Sequence, residues 1–126
     1  MPHSDTSAEY WYELARDDEE SARILVRESA PADIAAYHFH QAIEKTLKGL
    51  IAEQGAEIPR IHDLERLFMK AKNLGAEFPN AAFDAIALIQ SYYSDFRYPH
   101  GDRLGTEDLK RVVEAFDLLK ALRKDS

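Results

Sequence analysis

Arg97 and His100 are the two residues of this sequence whose chemistry is easiest to name. An arginine guanidinium is planar and permanently charged, and its shape matches two oxygens of a phosphate group. A histidine imidazole exchanges protons near neutral pH, as phosphodiester cleavage requires. In the alternative interpretation, Arg97 forms a structural ion pair with an acid such as Asp18, and His100 is only solvated. We favour this structural interpretation, because arginine often forms such pairs.

A second group of polar residues forms one row on a predicted helix: Tyr37, Gln41, Glu44 and Lys48. The row lies opposite the apolar face around Phe39. In a nucleotide site, Tyr37 would stack on the base, Gln41 would read its edge and Lys48 would meet the phosphate. Two alternatives stay open. Glu44 and Lys48 have the spacing of a solvated surface pair, and tyrosine is enriched at subunit contacts. We favour a subunit contact over a ligand pocket.

One acid occupies an unexpected position in the first predicted helix. The apolar stripe of that helix consists of Trp11, Ala15, Ala22 and Leu25. Asp18 falls on the same stripe, and an unpaired buried carboxylate is costly. A charge cluster of Asp18, Lys48 and Arg97 would explain where this acid lies.

The histidines do not form a pattern that binds metal. His38 and His40 are two residues apart, so on a helix their side chains point about 200° from each other and cannot share an ion. His62 and Asp63 lie at a predicted helix start, where capping is the simpler role. Because no third ligand follows at helical spacing, we expect no metal site and no cofactor.

Apolar periodicity predicts helices throughout and no strands. Thr6 with Glu9 is a possible capping box, and Ser29 with Pro31 indicates a stop and a restart. The fourth helix is apolar on most faces, so its aromatic residues are expected in the core rather than in a base-stacking platform: Phe83, Tyr92, Tyr93 and, just beyond, Phe96. The predicted helices cover residues 7–28, 32–54, 63–75, 81–95 and 106–123. We expect an all-α, up-and-down antiparallel bundle of about five helices.

Composition limits the classes of protein that fit. The chain has 126 residues, 45% of them hydrophobic, which suits a single domain over residues 1–126. A net charge of -7 argues against broad binding to nucleic acid or anionic membranes, although a local basic site is compatible with it. Because there is no cysteine, no signal-like start and no apolar run of about 18 residues, we expect a cytoplasmic protein without membrane segments.

Several segments together resemble the HEPN family (higher eukaryotes and prokaryotes nucleotide-binding domain). The first helix contributes Ala15-Arg16-Asp17-Asp18 with Ala22, and the second contributes Gln41-Ala42-Ile43-Glu44-Lys45 with Lys48. His62-Asp63-Leu64 and Tyr93-Ser94-Asp95-Phe96-Arg97-Tyr98-Pro99 follow in the family's order. The likeness therefore spans nearly the whole chain.

The resemblance implies a small helical bundle that often dimerises. It also implies prokaryotic relatives encoded beside a small nucleotidyltransferase, in pairs that act as toxin and antitoxin. Many family members are RNases with an Arg-x4-6-His motif at the dimer interface. In this chain no arginine lies five to seven residues before His38, His40, His62 or His100. The nearest arrangement is Arg97-Tyr98-Pro99-His100, with two intervening residues.

The sequence therefore leads to one favoured function and two alternatives. The favoured one is a homodimeric HEPN-like module that binds a nucleotide or RNA, or a partner protein, and acts with a small nucleotidyltransferase in a two-component system of the toxin–antitoxin kind. Because the Arg-x4-6-His motif is absent, we favour a role without catalysis but leave the question of an enzyme open. The first alternative is a metal-independent endoribonuclease toxin that uses Arg97 and His100 at a dimer interface. The second is a purely structural dimerisation domain.

Overall fold

The structure is a computed structural model that describes residues 7–92 and 103–123. This part of the chain forms five α-helices and one short 3₁₀ turn, and it contains no strand. The helices are α1 Ala8–Arg27, α2 Ala32–Glu53, α3 Leu64–Asn73, α4 Ala82–Ser91 and α5 Thr106–Leu119, and the 3₁₀ turn is Lys120–Leu122. The predicted all-α, up-and-down antiparallel bundle is confirmed.

Local capping explains why several helices begin where they do. Ser7 caps α1 by accepting a hydrogen bond from the backbone N–H three residues later, and Asp63 caps α3 in the same way. At the start of α5, the backbone N–H of Gly105 donates to the Asp108 carboxylate at 2.9 Å. Thr6, the predicted cap of the first helix, lies outside the described residues.

The turn between α1 and α2 differs from the predicted one. Ser29 does not cap α2; it lies in the turn with a left-handed backbone, φ 58°. Pro31 occupies the position before α2, and the cap has no side-chain hydrogen bond. After α2, Gly55 has φ 77°, a conformation that glycine adopts at low cost after a helix end, as the sequence indicated.

The second helix lies at the centre of the described bundle. It packs against α1, α3 and α5, while α4 packs against α3 and α5. Its residues Phe39, Ile43, Leu47 and Ile51 are fully buried, and the rings of Phe39 and Phe116 are 4.9 Å apart. Burial of such side chains contributes about 1.5–3 kcal/mol each, so α2 holds the bundle together.

Small residues allow α1 and α2 to pack closely. Ala15 and Ala22 of α1 and Ala42 of α2 are fully buried. Gly49 of α2 faces the Tyr12 ring so closely that a Cβ atom at position 49 would overlap the ring carbons. Backbone separation between these helices is therefore set by residues with little or no side chain.

The apolar stripe of α1 is rotated from the predicted one. Tyr12 is buried together with the two alanines, whereas Trp11 and Leu25 are only half-buried. The tyrosine fills the space beside Gly49, so the inward side of α1 is the one that carries Tyr12 and these two alanines.

The predicted aromatic core is only partly present in the described residues. Phe83 is 42% exposed, because it lies at the edge of the bundle with its ring 5.6 Å from that of Phe68. Tyr92 is half-buried, and its hydroxyl donates to a carboxylate of α5 at 3.2 Å. Tyr93 and Phe96 lie outside the described residues, as does the predicted end of the fourth helix at residues 93–95.

We predict that Gly49→Ala destabilises the protein by about 1–3 kcal/mol, because the added methyl group must displace the Tyr12 ring. The free energy of unfolding, measured in urea, tests this. In a Tyr12→Leu background the same substitution should cost less, because the ring is gone and alanine is the better helix former. Equal costs in the two backgrounds would contradict the close packing.

Candidate functional site

A cleft opens where the first helix begins and the second one ends. Its volume is about 440 Å³. One wall is the loop between α2 and α3, which bends back beside the last turns of α2. The lining residues are Trp11, Lys48, Glu57, Ile58, Pro59, Arg60 and His62. They include three basic side chains and one acid, although the whole protein has a net charge of -7.

A buried ion pair lies at the inner end of this cleft. Lys48 Nζ donates to Glu44 Oε2 at 3.1 Å, and the two side chains are only 8% and 5% exposed. The solvated surface pair considered from the sequence is therefore incorrect for these two residues. The helical wheel placed them opposite the Phe39 face, but α2 is enclosed by neighbours on both sides at this level. Desolvating two charges is costly, so the pair needs further contacts.

His62 is the third member of this group. Its Nδ1 lies 2.9 Å from the same Glu44 oxygen that Lys48 contacts. Because a carboxylate only accepts hydrogen bonds, Nδ1 is the nitrogen that carries the proton. The imidazole is 80% exposed, so it connects the loop to a buried acid while remaining open to solvent. Glu44 Oε1 is buried and has no hydrogen-bond partner within residues 7–92 and 103–123.

The indole of Trp11 provides the second wall of the cleft. Lys48 Nζ lies 5.4 Å from the centre of the indole ring, within the range of a cation–π contact. An ammonium group has three N–H donors, and Glu44 uses one of them. Among residues 7–92 and 103–123 the other two donors have no recorded acceptor, so they can serve a ligand at the inner end of the cleft.

His40 lies one helical turn before Glu44 and is buried. Burial is the main cause that lowers the pKa of His40 from its ordinary value of 6.5, against the smaller opposing influence of Glu44 and a hydrogen bond with Gln90. Gln90 in turn accepts from the backbone N–H of Leu64 at 2.9 Å, which ties α4 to the start of α3. His40 thus belongs to a structural polar contact behind the cleft.

The structure separates Asp18 from Lys48. Asp18 forms an ion pair with Lys45, and its other oxygen is 3.3 Å from His38 Nδ1. The expected partner of this acid is therefore present but is a different lysine. Arg97, the third member of the expected cluster, and His100 lie outside the described residues.

The predicted polar row does not form one surface. Tyr37 is 47% exposed and Gln41 is half-buried, whereas Glu44 and Lys48 are buried. Of this row only Lys48 lines the cleft, and Glu44 lies behind it as the partner of Lys48.

Sequence reasoning missed the roles of Trp11, Arg60 and His62. Trp11 was assigned to the core, and His62 only to a helix start. One signal was available: the loop after Gly55 must run back beside the last turns of α2, where Lys48 lies. The burial of Glu44, which contacts both Lys48 and His62, has no signal in the sequence, because this burial depends on how the other elements pack around α2.

Comparison with known proteins gives the family. The HEPN domain model matches residues 8–124, so the chain belongs to the HEPN family. The crystal structure of an archaeal HEPN homologue has the same fold, with a TM-score of 0.67, 22% identity, and coverage of 92% of this chain and 94% of that chain. No match was found among curated proteins. Family membership supports a nucleotide-binding or RNase-like module in general terms, and HEPN domains commonly dimerise.

Two kinds of feature are absent from the described part of the chain. None of its helices has the length and apolar character that a membrane span needs. Within the same residues, no three histidine or acidic side chains are grouped as metal ligands.

We predict that acidification destabilises the protein partly through His40. The pKa of His40 is lower in the folded protein than in the unfolded chain, so the unfolded chain binds more protons. The stability that neutral His40 contributes is therefore present above about pH 6.5 and is lost as the pH falls from there through the folded-state pKa. Between pH 7.5 and 5.5, His40→Gln should lose less of its free energy of unfolding than the unmodified protein, because glutamine does not titrate. Urea unfolding at both pH values measures this, and parallel losses would rule the contribution out.

Proposed function

We propose that this HEPN protein is a nucleotide-binding module and that its ligand occupies the cleft between Trp11, Lys48 and the loop of residues 54–63. One observation carries the proposal: a buried ammonium group lies at the inner end of an open cleft, against an indole ring, and two of its N–H donors have no acceptor in the described part of the chain. A cleft of about 440 Å³ is within the usual range of small-molecule sites.

The basic side chains suit the phosphate groups. Lys48 provides a desolvated point charge, and the exposed guanidinium of Arg60 provides a planar fork at the rim. His62 adds an imidazole that is open to solvent. A phosphate oxygen held by a buried ammonium interacts more strongly than one held at an exposed surface, because water screens it less.

The remaining walls suit a nucleoside. Ile58 and Pro59 supply apolar surface beside Trp11, and a base is a flat group that packs against such surface. Glu57 at the rim offers carboxylate oxygens that accept hydrogen bonds from ribose hydroxyls or an exocyclic amino group.

Tyr37 and Gln41 belong to a different surface in this proposal. Tyr37 precedes Lys48 by eleven residues, which corresponds to about 16 Å along a helix. One mononucleotide at Lys48 therefore does not reach the tyrosine. We assign the exposed part of α2, including Ile34 and Tyr37, to a protein contact, with a second copy of the chain as the expected partner.

The proposal includes a partner protein. The likeness of this chain to HEPN proteins supports a small nucleotidyltransferase as that partner, in a two-component system of the toxin–antitoxin kind. The alternative of an endoribonuclease depends on Arg97 and His100, which lie outside the described residues, so no observation of geometry favours it. A purely structural dimerisation domain would not need the open cleft.

Trp11 allows a direct test, because it is the single tryptophan of the chain. Titration with ATP, AMP and adenosine should change its fluorescence, with the phosphorylated ligands binding more tightly. Lys48→Met should weaken ATP binding by about 10- to 100-fold and Arg60→Ala by about 10-fold, since each removes a charge-assisted hydrogen bond.

Lys45→Met is the matched control. It removes a lysine that also pairs with an acid, on the same helix but away from the cleft. It should leave ATP affinity within about twofold of the original, because surface charges at a distance act weakly in salt. If millimolar nucleotide causes no change in fluorescence or in calorimetry, or if Lys45→Met and Lys48→Met weaken binding equally, the proposed site is wrong.

We predict that the purified protein has the mass of a dimer and retains a nucleotidyltransferase in pull-down from its native extract. Tyr37→Glu should reduce the dimer fraction, because a charge replaces exposed aromatic surface, without changing ATP affinity per chain. Native mass spectrometry measures both species. A monomeric unmodified protein that captures no nucleotidyltransferase would refute this part of the proposal.

A further inference from the structure

The loop that forms one wall of the cleft is joined to the inner ion pair through a titratable side chain. His62 is 80% exposed and lines the cleft, yet its Nδ1 contacts Glu44, whose side chain is 5% exposed. The imidazole therefore connects solvent, ligand space and buried charge.

The charges around His62 explain what a bound anion would change. On α2 the imidazole meets Glu44, with Lys48 and the buried His40 close by. On its own loop the charged groups are Glu57, Arg60 and Asp63. The inner pair of one acid and one lysine is neutral, and at the rim Arg60 and Glu57 offset each other. A phosphate group entering this space therefore brings more negative charge than these nearly balanced groups offset.

We propose that the cleft takes up the phosphate group of its ligand together with one proton, which binds to His62. This inference rests on the proposed nucleotide site and adds its regulation: affinity is controlled by pH in the physiological range.

Hydrogen-bond chemistry gives the reason. A neutral imidazole has one N–H and one lone pair. Since Nδ1–H is directed to Glu44, a neutral His62 presents a lone pair at Nε2, which repels phosphate oxygens. The imidazolium form has two N–H groups, so it donates to Glu44 and to the phosphate at once. An anionic ligand therefore favours the protonated form.

The same change protects the buried acid. When phosphate draws the Lys48 ammonium toward itself, Glu44 loses part of its charge compensation. An imidazolium at 2.9 Å restores it, whereas a neutral imidazole contributes only a dipole. Uptake of one proton thus balances both the ligand and the carboxylate, and no bond other than N–H is formed.

The direction of the pH dependence follows. Histidine side chains gain their proton between about pH 8 and 5. Affinity for phosphate-bearing ligands should increase as pH falls through this interval, by up to about tenfold per pH unit for one coupled proton.

The test compares the unmodified protein with His62→Gln, using ATP as the probe. Glutamine retains an N–H donor for Glu44 but cannot gain a proton. Calorimetry at pH 6.5, 7.0, 7.5 and 8.0, in two buffers of different ionisation enthalpy, gives affinity and proton uptake together. ATP releases or binds its own protons equally in both proteins, so the difference between them reports His62 alone.

We expect the unmodified protein to take up as much as one proton more than His62→Gln near pH 7. Its advantage in affinity over His62→Gln should grow as pH falls from 8.0 to 6.5, by up to about tenfold per pH unit, as one coupled proton predicts. His38→Gln is the matched control, because His38 also contacts a carboxylate but lies away from the cleft. It should behave like the unmodified protein.

Two outcomes separate this inference from the function on which it rests. If both proteins bind ATP with the same proton uptake, the coupling is wrong and the nucleotide site stands. If neither binds ATP at any pH, both are overturned.

Should His62→Gln fail to fold, the imidazole Cε1–H resonance of His62 gives the answer in the unmodified protein. Addition of ATP at pH 7 should shift it toward the protonated value, and an unchanged resonance would refute the inference.

Discussion

The candidate site depends on the buried ion pair between Glu44 and Lys48 of the second helix. A buried carboxylate must be compensated, and here a lysine one turn later and a histidine from the following loop share one of its oxygens. The pair therefore holds the loop against α2 and also places an ammonium group at the inner end of the cleft. Fold and site are linked because the same charge requires both contacts.

This link explains how a cleft in an acidic protein can offer cationic groups to an anionic ligand. Net charge describes the average surface, whereas a ligand experiences the groups nearest to it, with less screening as the surroundings become drier. Lys48 is enclosed and Arg60 is at the rim, so the local balance differs from the total of -7. A small anionic ligand can therefore bind in this cleft, whereas a long polyanion that contacts the whole surface is repelled by the net negative charge.

The helices were largely predictable from the sequence, because apolar periodicity, caps such as Asp63 and terminal glycines such as Gly55 act locally. The candidate site was less predictable from the sequence. A wheel assigns one inner face to each helix, but the second helix is enclosed on several sides, and Glu44 and Lys48 are buried on the face opposite the predicted apolar one. The partner of Asp18 was also missed: two lysines three residues apart were available, and only the helix packing selects Lys45.

The missing side chain of Gly49 has a consequence beyond packing. Tyr12 occupies the notch at this glycine, and its neighbour in sequence is Trp11, whose ring faces the ammonium one residue before the glycine. The position of Tyr12 against Gly49 therefore also positions the indole of Trp11 relative to Lys48. The absence of a side chain at Gly49 thus influences the width of the cleft, although Gly49 does not line it. A change at this contact would therefore alter the cleft as well as the packing of the two helices.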